Sequence, residues 1–100
     1  MKTRVDLAPQ VEEFVRRLAP EPRRSVRLAL RDLESEQGDI KALEGQLNGF
    51  WRLRVGSYRV IYVIEVVAGE RIMRCIFAER RAFVYALFAK AVKSIFGSPE

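Results

Sequence analysis

The hydrophobic repeat of this chain changes period at Phe50, and that change demands a fold in which helices are joined to a sheet. Before it, Val11, Phe14, Val15 and Leu18 recur at i, i+3, i+4 and i+7, and Val26, Ala29, Leu30 and Leu33 repeat the spacing after Pro20-Glu21-Pro22. That spacing gathers apolar residues on one helix face, so two amphipathic helices joined by a tight turn are expected. After Phe50 the period is two: Trp51, Leu53 and Val55 alternate with Arg52 and Arg54, Gly56-Ser57 supplies a two-residue turn, and residues 58–67 are β-branched and aromatic. This is the pattern of a β-hairpin. A second reversal centred on Gly69-Glu70 leads into a strand from Ile72 to about Ala78. Residues 82–96 return to helical spacing, with Tyr85, Phe88, Ala89, Val92 and Phe96 on one stripe and Gly97 as a stop. Residues 2–7 alternate in part and read as a first strand, while residues 39–49, interrupted by glycines, read as an irregular connection. The expected fold class is α+β: an N-terminal strand, a helical hairpin, an antiparallel three-strand meander and a C-terminal helix. One hundred residues suffice for one core, so residues 1–100 are expected to form a single domain.

Composition removes several chemistries. The chain has one cysteine, Cys75, and no histidine, which excludes an internal disulfide, a cysteine-based zinc site and the Ser/His and Cys/His nucleophile systems. No metal and no cofactor are implied. The uninterrupted apolar runs at residues 60–64 and 84–89 fall far short of the about 20 residues that cross a bilayer. Asp6 precedes any apolar block, so the N-terminus does not read as a secretory signal, and a cytoplasmic location is expected.

The net charge of +5 is unevenly placed, because residues 1–50 carry nine basic and nine acidic residues and residues 51–100 nine and four. A basic half suits a polyanionic partner such as nucleic acid. In the simplest register of the Gly56-Ser57 hairpin, Val55 pairs with Tyr58, Arg54 with Arg59, Leu53 with Val60 and Trp51 with Tyr62. The Gly69-Glu70 turn would pair Glu65 with Arg74, Val63 with Ile76 and Ile61 with Ala78, and so set Arg80 beside Arg59. Arg52, Arg54, Arg59 and Arg80 would then share one patch. Like charges facing each other across a sheet are unfavourable by a few tenths to about 1 kcal/mol per pair. A phosphate among them would reverse the sign, since guanidinium groups bind phosphate oxygens in bidentate fashion. The patch is therefore a candidate phosphate site.

Other residues have two readings. Tyr85 belongs to the apolar stripe of the last helix, yet its closeness to Glu79-Arg80-Arg81 also sets it near the cationic patch, where it could stack on a base or assist proton transfer. Trp51 and Tyr62 read as core, and Cys75 as a small buried hydrophobe. The arginines of the helical hairpin, interspersed with acids, read as a solvated face. The last helix is apolar on nearly every side, which leaves Phe83 and Leu87 to be covered either by the helical hairpin or by an acidic, amphipathic partner segment.

Leu43-x-Gly45-x-Leu47 leading into Trp51-Arg52-Leu53-Arg54-Val55-Gly56-Ser57-Tyr58-Arg59-Val60-Ile61-Tyr62, followed by Arg80-Arg81-x-x-Val84-Tyr85, resembles the RelE/ParE superfamily of toxins from type II toxin–antitoxin systems. The terminal motif favours the RelE-like branch. The resemblance implies a ribosome-dependent mRNA endonuclease, in which the 2′-hydroxyl attacks the adjacent phosphate and leaves a cyclic phosphate and a free 5′-hydroxyl. Its implied catalytic residues are Arg52, Arg54, Arg59, Arg81 and Tyr85. The last basic position maps to Arg81 by its spacing from Tyr85, whereas the strand register favours Arg80. Its implied partners are the ribosome, mRNA and a cognate acidic antitoxin in a hetero-oligomer, with Phe83 and Leu87 as antitoxin contacts. The ParE-like branch, which inhibits DNA gyrase without nuclease chemistry, is the alternative. Two positions depart from the family: Arg52 stands where lysine is frequent, and Arg80 where histidine is frequent. Because an arginine is a poor general base, the proton acceptor is left to Tyr85 or Glu79.

Overall fold

The structure, a computed structural model, describes residues 2–96. Its elements are β1 (Lys2–Leu7), α1 (Pro9–Arg16), α2 (Pro20–Asp32), β2 (Asp39–Ala42), β3 (Trp51–Val55), β4 (Tyr58–Val67), β5 (Glu70–Arg80) and α3 (Val84–Phe96). The strands form one sheet in the order β1-β5-β4-β3-β2, with β1 parallel to β5 and every other pair antiparallel. No described helix is long and apolar enough to cross a membrane.

The helical hairpin forms as its periodicity requires. Pro9 and Pro20 open α1 and α2 in their first turns, where a missing N–H costs no hydrogen bond. Val11, Val15, Val26, Leu30 and Leu33 face one side of the sheet and pack with Leu53, Val60, Tyr62, Met73, Cys75 and Ala78. On the opposite side α3 lays Val84 and Phe88 over Ile61, with Phe50 and Phe77 beside them. Phe88 makes edge-on and tilted contacts with Phe50 and Phe77 at centroid distances of 5.0 and 5.6 Å. Val60, Ile61 and Tyr62 are consecutive and all buried, as they must be where both faces of β4 are covered. Each such side chain contributes about 1.5–3 kcal/mol on burial. Tyr62 is core, as expected, and stacks at 6.4 Å on Trp51, which is partly buried against that core.

Three features differ from the sequence reading. The meander has four strands, because Asp39–Ala42 pairs with β3, setting Asp39 opposite Arg54 and Ile40 opposite Leu53. Four residues are too few for an alternating pattern to stand out. The preceding Gly38 has φ +125°, which side chains rarely adopt, and a Cβ there would lie a tight 3.0 Å from a Leu53 methyl.

The second hairpin turns at Ala68-Gly69 rather than Gly69-Glu70, with φ of +52° and +78°. Two successive left-handed residues match the twist of the flanking strands. The ladder therefore moves by two positions, pairing Glu65 with Ile72 and Val63 with Arg74. A bulge between Ile61 and Tyr62 moves it again. Tyr62 pairs with Cys75 but Ile61 pairs with Phe77, so Ile76 is the extra residue, and Arg59 comes opposite Glu79 while Tyr58 comes opposite Arg80.

The third difference is the buried stripe of α3, which runs through Val84, Phe88 and Val92, not Tyr85 and Ala89. The expected stop at Gly97, and the placement of the Phe96 side chain, lie outside the described residues.

Where β1 ends, a side chain continues its pairing. Ala8 N–H donates to the Cys75 carbonyl at 2.9 Å. The Gln10 amide then brackets buried Ala78, Nε2 donating to its carbonyl and Oε1 accepting its N–H, both at 2.8 Å. Gln10→Ala strips two strand groups of partners and should destabilise the fold by about 1–3 kcal/mol in urea unfolding. An unchanged midpoint would show that the bracket carries no stability. Burial pushes the Cys75 thiol up to about 12, so in the native protein it should resist alkylation by iodoacetamide at pH 8 and react only on unfolding. Rapid labelling of the folded chain would contradict that.

Candidate functional site

The β3–β4 hairpin has the register expected from Gly56-Ser57: Trp51 with Tyr62, Leu53 with Val60, Arg54 with Arg59 and Val55 with Tyr58. Residues directly opposite in an antiparallel pair share a face. Burying Trp51, Leu53, Val60 and Tyr62 under the helical hairpin therefore directs Arg52, Arg54 and Arg59 to the face that carries α3.

Arg59 is the inner member. It is only 6% exposed, and its Nη1 donates to the carbonyls of Gly56 and Tyr58, both at 2.9 Å. Burial lowers its proton affinity, nearby Arg54, Arg52 and Arg81 lower it further, and Tyr85 opposes them. The same influences place Arg52, Arg54, Arg81 and Tyr85 within electrostatic reach of this guanidinium. The Arg81 N–H donates to the Ser57 carbonyl at 2.7 Å, which ties the segment leading into α3 to the hairpin turn. Between them lies an open depression of about 590 Å³, lined by Arg54, Arg59, Arg80, Arg81 and the neighbouring turn.

The expected placement of Arg80 beside Arg59 is corrected. The bulge in β5 puts Glu79 there, and Arg80 lies across from Tyr58, whose ring packs edge-on against Phe14 at 5.8 Å under the helical hairpin. Arg80 still lines the depression with Arg54, Arg59 and Arg81, and Arg81 is grouped with Arg52 and Arg54 around Arg59. Tyr85 is not core: it is 37% exposed.

Charge in the patch is also less bare than expected. Asp39, which the sequence did not mark, accepts Arg52 Nη1 at its carboxylate Oδ1 and at its carbonyl, each at 3.1 Å, and its Oδ2 lies 3.7 Å from Arg54 Nε. Only the pairing of β2 with β3 reveals it, because fifteen residues separate Asp39 from Arg54 in the chain. Arg59, Arg80 and Arg81 have no carboxylate partner among the described residues. Glu79 turns its Oε2 to the Arg80 N–H at 3.0 Å. The site thus sets several guanidinium groups against one bridging carboxylate, an arrangement suited to a phosphate group. No grouping of three or more His, Cys, Asp or Glu able to hold a metal occurs among the described residues.

No family model and no curated protein matches the sequence. Solved structures do. The toxin–antitoxin complex RelBE2 from Mycobacterium tuberculosis is similar with a TM-score of 0.65 at 22% identity, over 81% of this chain and 100% of that one. The YoeB/ParE toxin from Agrobacterium tumefaciens gives 0.62 at 18% identity, over 81% and 99%. The archaeal RelE–RelB complex from Pyrococcus horikoshii gives 0.58 at 29% identity, over 81% and 97%. The motif around Gly56 and these likenesses converge, and the chain has the fold of the RelE/ParE superfamily of toxins.

Proposed function

We propose that this chain is the toxin of a type II toxin–antitoxin system and that it cleaves mRNA on the ribosome. The observation that carries the reading is Arg59, a buried guanidinium with no carboxylate partner among the described residues, gathered with Arg54 and Arg81 around an open depression. Folding alone does not favour such a cluster, whereas a bound phosphate does.

In the proposed reaction the 2′-hydroxyl oxygen forms a bond to the neighbouring phosphorus while the bond to the 5′-oxygen breaks, giving a cyclic phosphate and a 5′-hydroxyl. Negative charge grows on the non-bridging oxygens. Arg59, Arg54 and Arg81 act as preorganised donors to that charge, with Arg52 supporting them. Tyr85 orients the nucleotide. The arginines do not take the proton of the 2′-hydroxyl; Glu79, across the ladder from Arg59, or Tyr85 accepts it, and the leaving 5′-oxygen takes one up. With no histidine in the chain, orientation of the RNA by the ribosome supplies much of the rate, as holding reactants in line does in general.

The proposed partner is an acidic antitoxin. Phe83 is 53% and Leu87 42% exposed, and the helical hairpin lies across the sheet from α3, so it does not cover them. An acidic amphipathic segment on this helix would bury both residues and face the adjacent arginines. The complexes from M. tuberculosis and P. horikoshii pair toxins of this fold with antitoxins.

In a translation reaction with mapped mRNA ends, the chain should cut at the A-site codon, with Arg59→Ala slowing cleavage by about 10²–10³-fold and Tyr85→Phe slowing it measurably. Intact message together with inhibited gyrase supercoiling would refute the nuclease reading and assign the chain to the non-enzymatic branch. Leu87→Asp should weaken antitoxin binding by at least about tenfold while leaving cleavage in place. Undiminished binding would exclude this face as the contact.

A further inference from the structure

We infer that Asp39 is an internal stand-in for phosphate, occupying the outer half of the arginine site until RNA displaces it. The inference rests on the reading that these arginines hold an RNA phosphate. The two oxygens of the Asp39 carboxylate go to different arginines, Oδ1 to Arg52 at 3.1 Å and Oδ2 towards Arg54 at 3.7 Å. A bridging pair of anionic oxygens is what a phosphate offers to the same two groups. Asp39 opens the edge strand β2, which pairs on one side only, with β3.

The site therefore has two halves. Arg59 and Arg81 are free of carboxylates among the described residues, while Arg52 and Arg54 are held by Asp39. A phosphate docking on Arg59 gains Arg54, its cross-strand neighbour, by taking the place of Asp39. The Asp39 and Arg54 side chains are both about half exposed, whereas Arg52 is 15% exposed; exposed ion pairs are weak, so an RNA phosphate with several donors in reach takes Arg54 from this carboxylate readily. Asp39 thereby weakens general polyanion binding without closing the site. Anions that reach only Arg52 and Arg54 face a competitor, and those that also engage Arg59 overcome it.

The test is fluorescence anisotropy with a short labelled RNA bearing 2′-O-methyl groups, which cannot be cut, titrated over a range of NaCl concentrations. Asp39→Asn keeps an acceptor for Arg52 but removes the charge, and Asp39→Ala removes both. Each should tighten binding by about two- to fivefold and steepen the salt dependence by about 0.7 in log–log slope per charge freed. Glu21→Gln, which deletes an exposed acid on α2, measures the effect of net charge alone. Asp39 variants that bind no more tightly than Glu21→Gln would overturn the inference, as would weaker binding, which would make Asp39 a scaffold that orients the arginines. If Arg59→Ala binds this RNA as well as the native chain, the phosphate-site reading itself fails and the inference falls with it. Loss of binding in Arg59→Ala beside unresponsive Asp39 variants would reject the role of Asp39 alone.

Discussion

The register of the β3–β4 hairpin is the constraint on which the rest of this molecule depends. A two-residue turn with Gly56 in the left-handed region, at φ +58°, closes the hairpin with Val55 opposite Tyr58. Because side chains alternate, the choice that buries Trp51, Leu53, Val60 and Tyr62 is the same choice that sends Arg52, Arg54 and Arg59 to the other face. A slip of one residue would press three guanidinium groups into an apolar core. Core packing thus holds the arginines together against their own repulsion.

The cost of that repulsion is managed locally. Asp39 bridges Arg52 and Arg54, and the arginine least accessible to solvent, Arg59, finds carbonyl oxygens of its own turn instead. The bulge in β5 contributes as well. By giving Ile76 and Phe77 to the same face it brings Glu79 opposite Arg59 and Arg80 opposite Tyr58. What remains is a site with a buried cation that has no carboxylate partner among the described residues, and a tyrosine from α3.

The helix α3 serves two purposes. Val84, Phe88 and Val92 cover the sheet behind the site, and Tyr85, one position after Val84, is thereby turned outwards. Phe83, just before α3, and Leu87 within it are exposed, and Phe83 lines the depression with the arginines, so one partner could cover the apolar face and offset the positive charge together. The helical hairpin, on the far side of the sheet, plays no part in the site except to hold the register.

Much of this was legible from residue order. The helical hairpin, the β3–β4 ladder, the Arg54–Arg59 pairing and the buried places of Tyr62 and Cys75 follow from local period and one tight turn, and local physics suffices for them. Strand β2, the position of the second turn, the bulge at Ile76 and the exposure of Tyr85 do not. A four-residue strand has no period to detect; the turn at Ala68-Gly69 sets a non-glycine residue in the left-handed region; and the bulge breaks the alternation of β5 by giving Ile76 and Phe77 to one face. Asp39 joined the site, and Glu79 came opposite Arg59, through those same features. The sequence alone determined which side chains can bind an anion, since charge and alternation are written residue by residue. Which of them meet, and with what counter-charge, was decided by strand pairing between distant segments, because only packing both faces of the sheet at once selects the register.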